Sequence, residues 1–118
     1  MKKILPMALS FIVLAYTQVV SADYVQHQYF YMDMTLNKCT QIVKKSAERV
    51  GFKNIHVKTS KNDGFYASLF AMNKKGYSFQ YLCESKKGFG YLIINGSSPK
   101  ITLDIKQKIA KEIYNQKK

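Results

Sequence analysis

Residues 61–70, 73–82 and 85–94 read KNDGFYASLF, NKKGYSFQYL and SKKGFGYLII. Each copy runs from a polar, lysine-containing turn through a glycine into an aromatic-led strand. A tight hairpin turn needs a residue with positive φ, which glycine supplies without steric cost, and lysines suit turns that face water. Three such copies in succession predict an antiparallel meander.

The flanking segments extend this pattern in both directions. Residues 54–60, NIHVKTS, alternate Ile55 and Val57 against His56 and Lys58, which predicts one more strand with a single buried face. Residues 24–32, YVQHQYFYM, are aromatic and rich in strand formers, and predict a first strand. Between these two, Leu36, Cys39, Val43, Ala47 and Val50 recur at helical spacing, with Lys38, Lys44, Lys45, Glu48 and Arg49 off the stripe. Asp33 or Thr35 would cap this helix and Gly51 would end it. The last segment has Ser98 as N-cap, Pro99 at the first helical position and Ile101, Ile105, Ile109 and Ile113 at intervals of four, which predicts an amphipathic helix. Asp104 with Lys108, and Lys108 with Glu112, would form ion pairs along its exposed side. The order β-α-β-β-β-β-α predicts the α+β class, an antiparallel sheet with two helices packed on it.

The first 22 residues read differently from the rest. Lys2 and Lys3 precede an apolar run from Ile4 to Ala15, and Val20-Ser21-Ala22 offers the small residues that a signal peptidase reads. This predicts a secretory signal peptide over 1–22, cleaved after Ala22, and a single domain over 23–118. The apolar run is broken by Pro6 and Ser10 and turns polar at Thr17, short of the roughly 18 residues of a spanning helix. No transmembrane segment is therefore expected after cleavage. Two cysteines follow, Cys39 and Cys83, and an even pair in an exported domain predicts one disulfide and a periplasmic or secreted location. That bond would join the apolar stripe of the first helix to the strand face carrying Tyr77, Phe79 and Tyr81, making those rings core and leaving Ser78, Gln80 and Leu82 on the wetter face. No Cys-x-x-Cys pair or set of metal ligands accompanies the cysteines, so neither a cofactor nor a metal is expected.

Charge is the strongest compositional feature. Nineteen lysines and arginines against seven acidic residues give a net charge of +12, and removal of Lys2 and Lys3 with the leader leaves +10. Such a surface attracts acidic proteins and anionic polymers. Lys74, Lys75, Lys86 and Lys87 on successive turns are the candidate anion-binding patch, and Lys100, Lys108, Lys111 and Lys118 fall along the last helix. Lys87–Ile94 resembles the aromatic octamer of RNA-recognition motifs, a likeness that would imply base stacking by Phe89 and Tyr91. It covers these residues alone. Ile94 stands where that family has an aromatic residue, and the predicted element order has two extra strands before the octamer and no strand after the last helix. Residues 87–94 are accordingly read as a glycine turn and a half-buried strand, without specific nucleic-acid binding. Acid–base chemistry of a ribonuclease or toxin would draw on His56, Glu84, His27 and Arg49, but no spacing joins them. The expected function is that of a small basic accessory or inhibitor protein without catalytic activity, engaging an acidic protein or an anionic envelope polymer.

Overall fold

The structure is a computed structural model that describes residues 23–60 and 64–118. The expected signal peptide and residues 61–63 of the first repeat copy lie outside the described residues. The elements are β1 (Tyr24–Tyr31), α1 (Leu36–Arg49), β2 (His56–Thr59), β3 (Tyr66–Met72), β4 (Ser78–Glu84), β5 (Phe89–Gly96) and α2 (Pro99–Lys117). All five strands join one antiparallel sheet in the order β1-β5-β4-β3-β2. The meander accounts for four of them. β1 adds to the far side of β5, with Tyr24 opposite Gly96 and Tyr31 opposite Phe89. This puts β4 in the middle.

Both helices lie on the same side of the sheet, α1 over β3 and β4 and α2 over β5 and β1, and they pack on each other. Thr35 caps α1 by accepting from the Lys38 N–H, and Gly51 follows the helix with a φ of 105°. Ser98 caps α2 in the same way through the Ile101 N–H. The core between the layers is filled by Met32, Val43, Phe52, Leu69, Phe79, Leu92, Ile94, Ile109 and Ile113, all essentially without exposure. The Cys39–Cys83 disulfide crosses the same space, joining α1 to the middle strand with 6.2 Å between the Cα atoms. Tyr77, Phe79 and Tyr81 lie on the core side as the position of Cys83 requires.

Two core-side glycines explain how the tyrosine rings fit. A Cβ on Gly90 would sit 1.8 Å from the Tyr81 hydroxyl oxygen, and one on Gly96 would sit 2.0 Å from the Tyr77 ring. Each ring lies directly over a glycine of the adjacent strand, a pairing that covers bare backbone with an aromatic face.

Three expectations are corrected. β2 has no buried face: all four of its residues are exposed, with Val57 left 44% accessible, while only Ile55, just before the strand, packs on the core. Ile101 is exposed and Thr102 is buried in its stead. Steps of four residues overshoot a 3.6-residue turn by about 40° each, so a stripe that is central at Ile109 has rotated outward by Ile101. Glu112 pairs with Arg49 of α1 at 3.1 Å, linking the two helices, while Lys108 pairs with Asp104 at 3.0 Å.

The Tyr81 hydroxyl is buried without a hydrogen-bond partner among the described residues. Burial pushes this phenol above its ordinary range, and the neighbouring Tyr114 adds a smaller push in the same direction. The folded state therefore holds Tyr81 protonated at a pH where the unfolded chain ionises it. Its contribution to stability is complete below pH ~10 and is lost as the pH rises beyond that. Tyr81→Phe should retain the ring over Gly90, unfold no more easily than wild type at neutral pH, and show a shallower alkaline loss of stability in urea titrations between pH 8 and 11. The disulfide closes a loop across 44 positions, and on the chain-entropy model the double change Cys39→Ser with Cys83→Ser should cost about 4 kcal/mol in the same measurement.

Candidate functional site

With both helices on one side, the other side of the sheet carries no helix among the described residues. Cross-strand register arranges its outward side chains in rows that run from β1 across to β2. One row is Tyr31, Phe89, Glu84 and Tyr66. The next is Tyr29, Tyr91, Leu82, Ser68 and Lys58. A third is His27, Ile93, Gln80, Phe70 and His56, and a fourth is Val25, Asn95, Ser78 and Met72. Tyr29 and Tyr31 are 65% and 70% exposed, and Val25, Tyr66, Phe70 and Met72 are also open to solvent. The Tyr29 and Tyr91 rings stack with centroids 4.4 Å apart, and His27 meets the same Tyr91 ring edge-on.

The face is aromatic at its flanks and low along its middle. β4 contributes Ser78, Gln80 and Leu82, which stand lower than the rings on β3 and β5. A shallow depression of about 270 Å³ lies there, lined by Ser68, Phe70, Gln80, Leu82, Tyr91 and Ile93 among others. A second, of about 220 Å³, shares Ser68 and Leu82 with it and continues to Lys58 and Tyr66. Charge within the rows is sparse, Lys58 and Glu84 being the charged side chains there, and at one corner the Tyr31 hydroxyl donates to the Asp33 carboxylate at 3.5 Å. Among the described carboxylates, Glu48, Asp104 and Glu112 lie on the helices and Asp23 and Asp33 flank the ends of β1. Glu84 is the only one within the rows, and it is buried.

The lysine candidates do not form one patch. Consecutive turns of a meander lie at opposite ends of the strand between them, so Lys74 and Lys75 precede β4 while Lys86 and Lys87 follow it. Seven residues of β4 separate the pairs by about 24 Å. Lys86 lies over the Phe65 ring with its ammonium 5.5 Å from the centroid. Lys74 and Lys75 instead border a groove of about 670 Å³ with Lys53, Met72 and Ile101, where α1 ends and α2 begins. The two pairs and Lys58 stand at three borders of the open face. Lys100, Lys108, Lys111 and Lys118 belong to the helix layer or its end.

The acid–base candidates are dispersed as well. His27 and His56 share a row but sit on opposite edge strands, four spacings or about 19 Å apart. Arg49 is engaged with Glu112 on the helix side. Glu84 folds back into the turn that follows it, where its two carboxylate oxygens accept from the Lys86 and Lys87 N–H groups at 2.9 and 2.7 Å. Asn73 performs the same service in the preceding turn, accepting from the Lys75 and Tyr77 N–H groups at 3.1 and 2.9 Å. Both side chains are turn clamps. No group of three or more metal-ligating side chains occurs among the described residues, and no helix among them is long and apolar enough to cross a membrane.

The residues that sequence reasoning passed over are those of the open face: Val25, Tyr29, Tyr31, Tyr66, Phe70 and Met72. The signal was present in β3, whose sequence YASLFAM places alanine, leucine and alanine toward the helices and tyrosine, phenylalanine and methionine toward water. No protein-family model matches this chain, and no curated protein matches it significantly in sequence. Removing the clamp in Glu84→Ala should cost about 1–3 kcal/mol, because two part-buried N–H groups lose a charged acceptor. His56→Ala, on an exposed strand edge, should stay within about 0.5 kcal/mol of wild type. Thermal unfolding of the two variants side by side checks the contrast.

Proposed function

We propose that this is a small exported binding protein, without chemistry of its own, that engages an acidic protein through the helix-free face of its sheet. The observation that carries the reading is the concentration of Val25, Tyr29, Tyr31, Tyr66, Phe70 and Met72 on that face, each exposed and none covered by a helix. β1, β3, β4 and β5, seven or eight residues long, span three spacings and so a face of roughly 350 Å², and exposed apolar side chains gathered on one face of a monomer are commonly functional. Tyrosines suit this task, since they offer large rigid contact area at a small cost in conformational entropy.

Charge supports the choice of partner. Lys58, Lys74, Lys75, Lys86 and Lys87 border the face, and the described exposed carboxylates lie on the helices or at the ends of β1. An acidic protein would meet aromatic flanks on either side of a low middle strand, with lysines in the adjoining turns and on β2. An anionic polymer would use the lysines and leave the aromatic flanks idle, so the rings favour a protein. An enzyme inhibitor or an accessory subunit would work in this way. The disulfide supports an oxidising compartment, and the leader-like residues 1–22 support export to the periplasm or beyond.

Capture from a cell-envelope extract tests the proposal, with wild type compared against Tyr29→Ala, Tyr31→Ala and Phe70→Ala combined, at low and high salt. The expected result is an acidic protein retained by wild type, weakened by salt and reduced at least about tenfold by the triple change. Equal capture by the triple variant, or loss only on reversing the charge of Lys74, Lys75, Lys86 and Lys87, would overturn it.

A further inference from the structure

The second row across the open face changes character from one edge to the other. It begins with the stacked Tyr29 and Tyr91 rings, drops to Leu82 and the small Ser68, and ends at Lys58. Ser68 is decisive. It stands between Tyr66 and Phe70 on the same face of β3, and its small side chain opens the ridge those rings would otherwise form. The two depressions therefore join through it, since both are lined by Ser68 and Leu82. The result is a trough, apolar beneath Tyr91 and Ile93 and cationic where it meets Lys58. Lys58 has no carboxylate partner among the described residues.

We infer that the trough over β4 receives a single apolar side chain from an acidic segment of the partner, with a carboxylate of the same segment held by Lys58; this rests on the binding role proposed above. The apolar part, about 270 Å³, has room for one side chain, and the part of about 220 Å³ that reaches Lys58 has room for a carboxylate beside it. Its lining is mainly carbon, with Gln80 and Ser68 as the polar groups at the floor. From Leu82 to Lys58 is two strand spacings, about 10 Å. An extended segment covers that in about three residues, and the lysine arm shortens it further. The recognised element is thus an aromatic or leucyl anchor with an aspartate or glutamate two or three residues away.

A stacking platform for single-stranded nucleic acid is the competing occupant. It fits less well, because the middle of the face offers Ser68, Gln80 and Leu82 where successive bases need rings, and Tyr91 already stacks on Tyr29.

Amide chemical shifts of the ¹⁵N-labelled protein, prepared with its disulfide intact, decide the matter. The probes are the blocked peptides Ac-Glu-Asp-Phe-Asp-Glu-NH2, its Phe-to-Ala analogue, its Gln/Asn analogue lacking carboxylates, and oligothymidylate. The acidic phenylalanine peptide should give saturable shifts at Ser68, Gln80, Leu82, Tyr91 and Lys58, and each analogue should bind about tenfold more weakly. Ser68→Phe, which fills the trough at an exposed strand position, and Lys58→Glu should each weaken it similarly, with unchanged spectral dispersion showing that the fold persists. Equal binding of the phenylalanine and alanine peptides, shifts confined to the turn lysines, or tighter binding of oligothymidylate at Tyr29 and Tyr91 would each overturn the inference. If no peptide binds while the Tyr29, Tyr31 and Phe70 variant still loses its captured protein, the anchor inference falls and the wider binding face stands.

Discussion

The bond between Cys39 and Cys83 ties the first helix to the strand at the centre of the sheet, and the remaining geometry follows from that attachment. Side chains alternate along a strand, so placing Cys83 toward α1 places Tyr77, Phe79 and Tyr81 there too. Register then transmits the phase outward: Ala67, Leu69 and Ala71 on β3, and Gly90, Leu92, Ile94 and Gly96 on β5, must face the same way. A slip of one residue at β4 would turn every one of these sets toward water. The glycines complete the arrangement, because Tyr77 and Tyr81 fit on the core side only where their neighbours on β5 have no side chain.

Committing both helices to one side leaves no helix among the described residues to cover the other. The sequence does not compensate by making that second side polar. On β3 two alanines and Leu69 point inward, toward Tyr81 and helix α1, while Tyr66, Phe70 and Met72 point outward with Ser68 between the two rings. Hydrophobic burial alone would favour the reverse. A strand that spends its bulk on the solvent side leaves burial unrealised among the described residues, and this is the feature on which the proposed binding role rests. Three of the six described carboxylates, Glu48, Asp104 and Glu112, lie on the helices, and Glu84, the one within the rows, is buried in its turn.

Much of the architecture was legible because its determinants are local. The glycine-led repeats announce hairpins through the demand for positive φ, and Gly76 and Gly88 do have φ of 85° and 73°. The caps Thr35 and Ser98 with Pro99 mark the helix starts, and the two cysteines pair as their number and context imply. What was not legible depends on non-local placement. The sequence does not say that β1 joins β5, because that pairing closes across the whole domain, and without it Tyr29 and Tyr31 cannot be set beside Tyr91. It does not reveal that β2 has no buried face, since an alternating pattern marks two faces without showing that either is covered. The lysine pairs are close in sequence, yet antiparallel geometry sends successive turns to opposite ends. Glu84 has the composition of a catalytic acid and the geometry of a turn clamp, a distinction that only the positions of the Lys86 and Lys87 N–H groups make.

The octamer Lys87–Ile94 shows how two unrelated demands can imitate a binding motif. Gly88 is required by the turn, where its backbone is left-handed. Gly90 is required by the Tyr81 ring that lies against it from the core side. Alternation then sends Phe89, Tyr91 and Ile93 to the opposite face, where β1 supplies Tyr31 and Tyr29 directly across from the first two. Glycine–aromatic alternation here reports a strand whose one side must be bare to admit rings from within and whose other side carries rings of its own. The core thus accounts for the glycines completely and for the outward rings not at all. Tyr29, Tyr31 and Tyr91 contribute little to packing beneath the sheet, and it is this exposed excess of rings that the proposed binding role would account for.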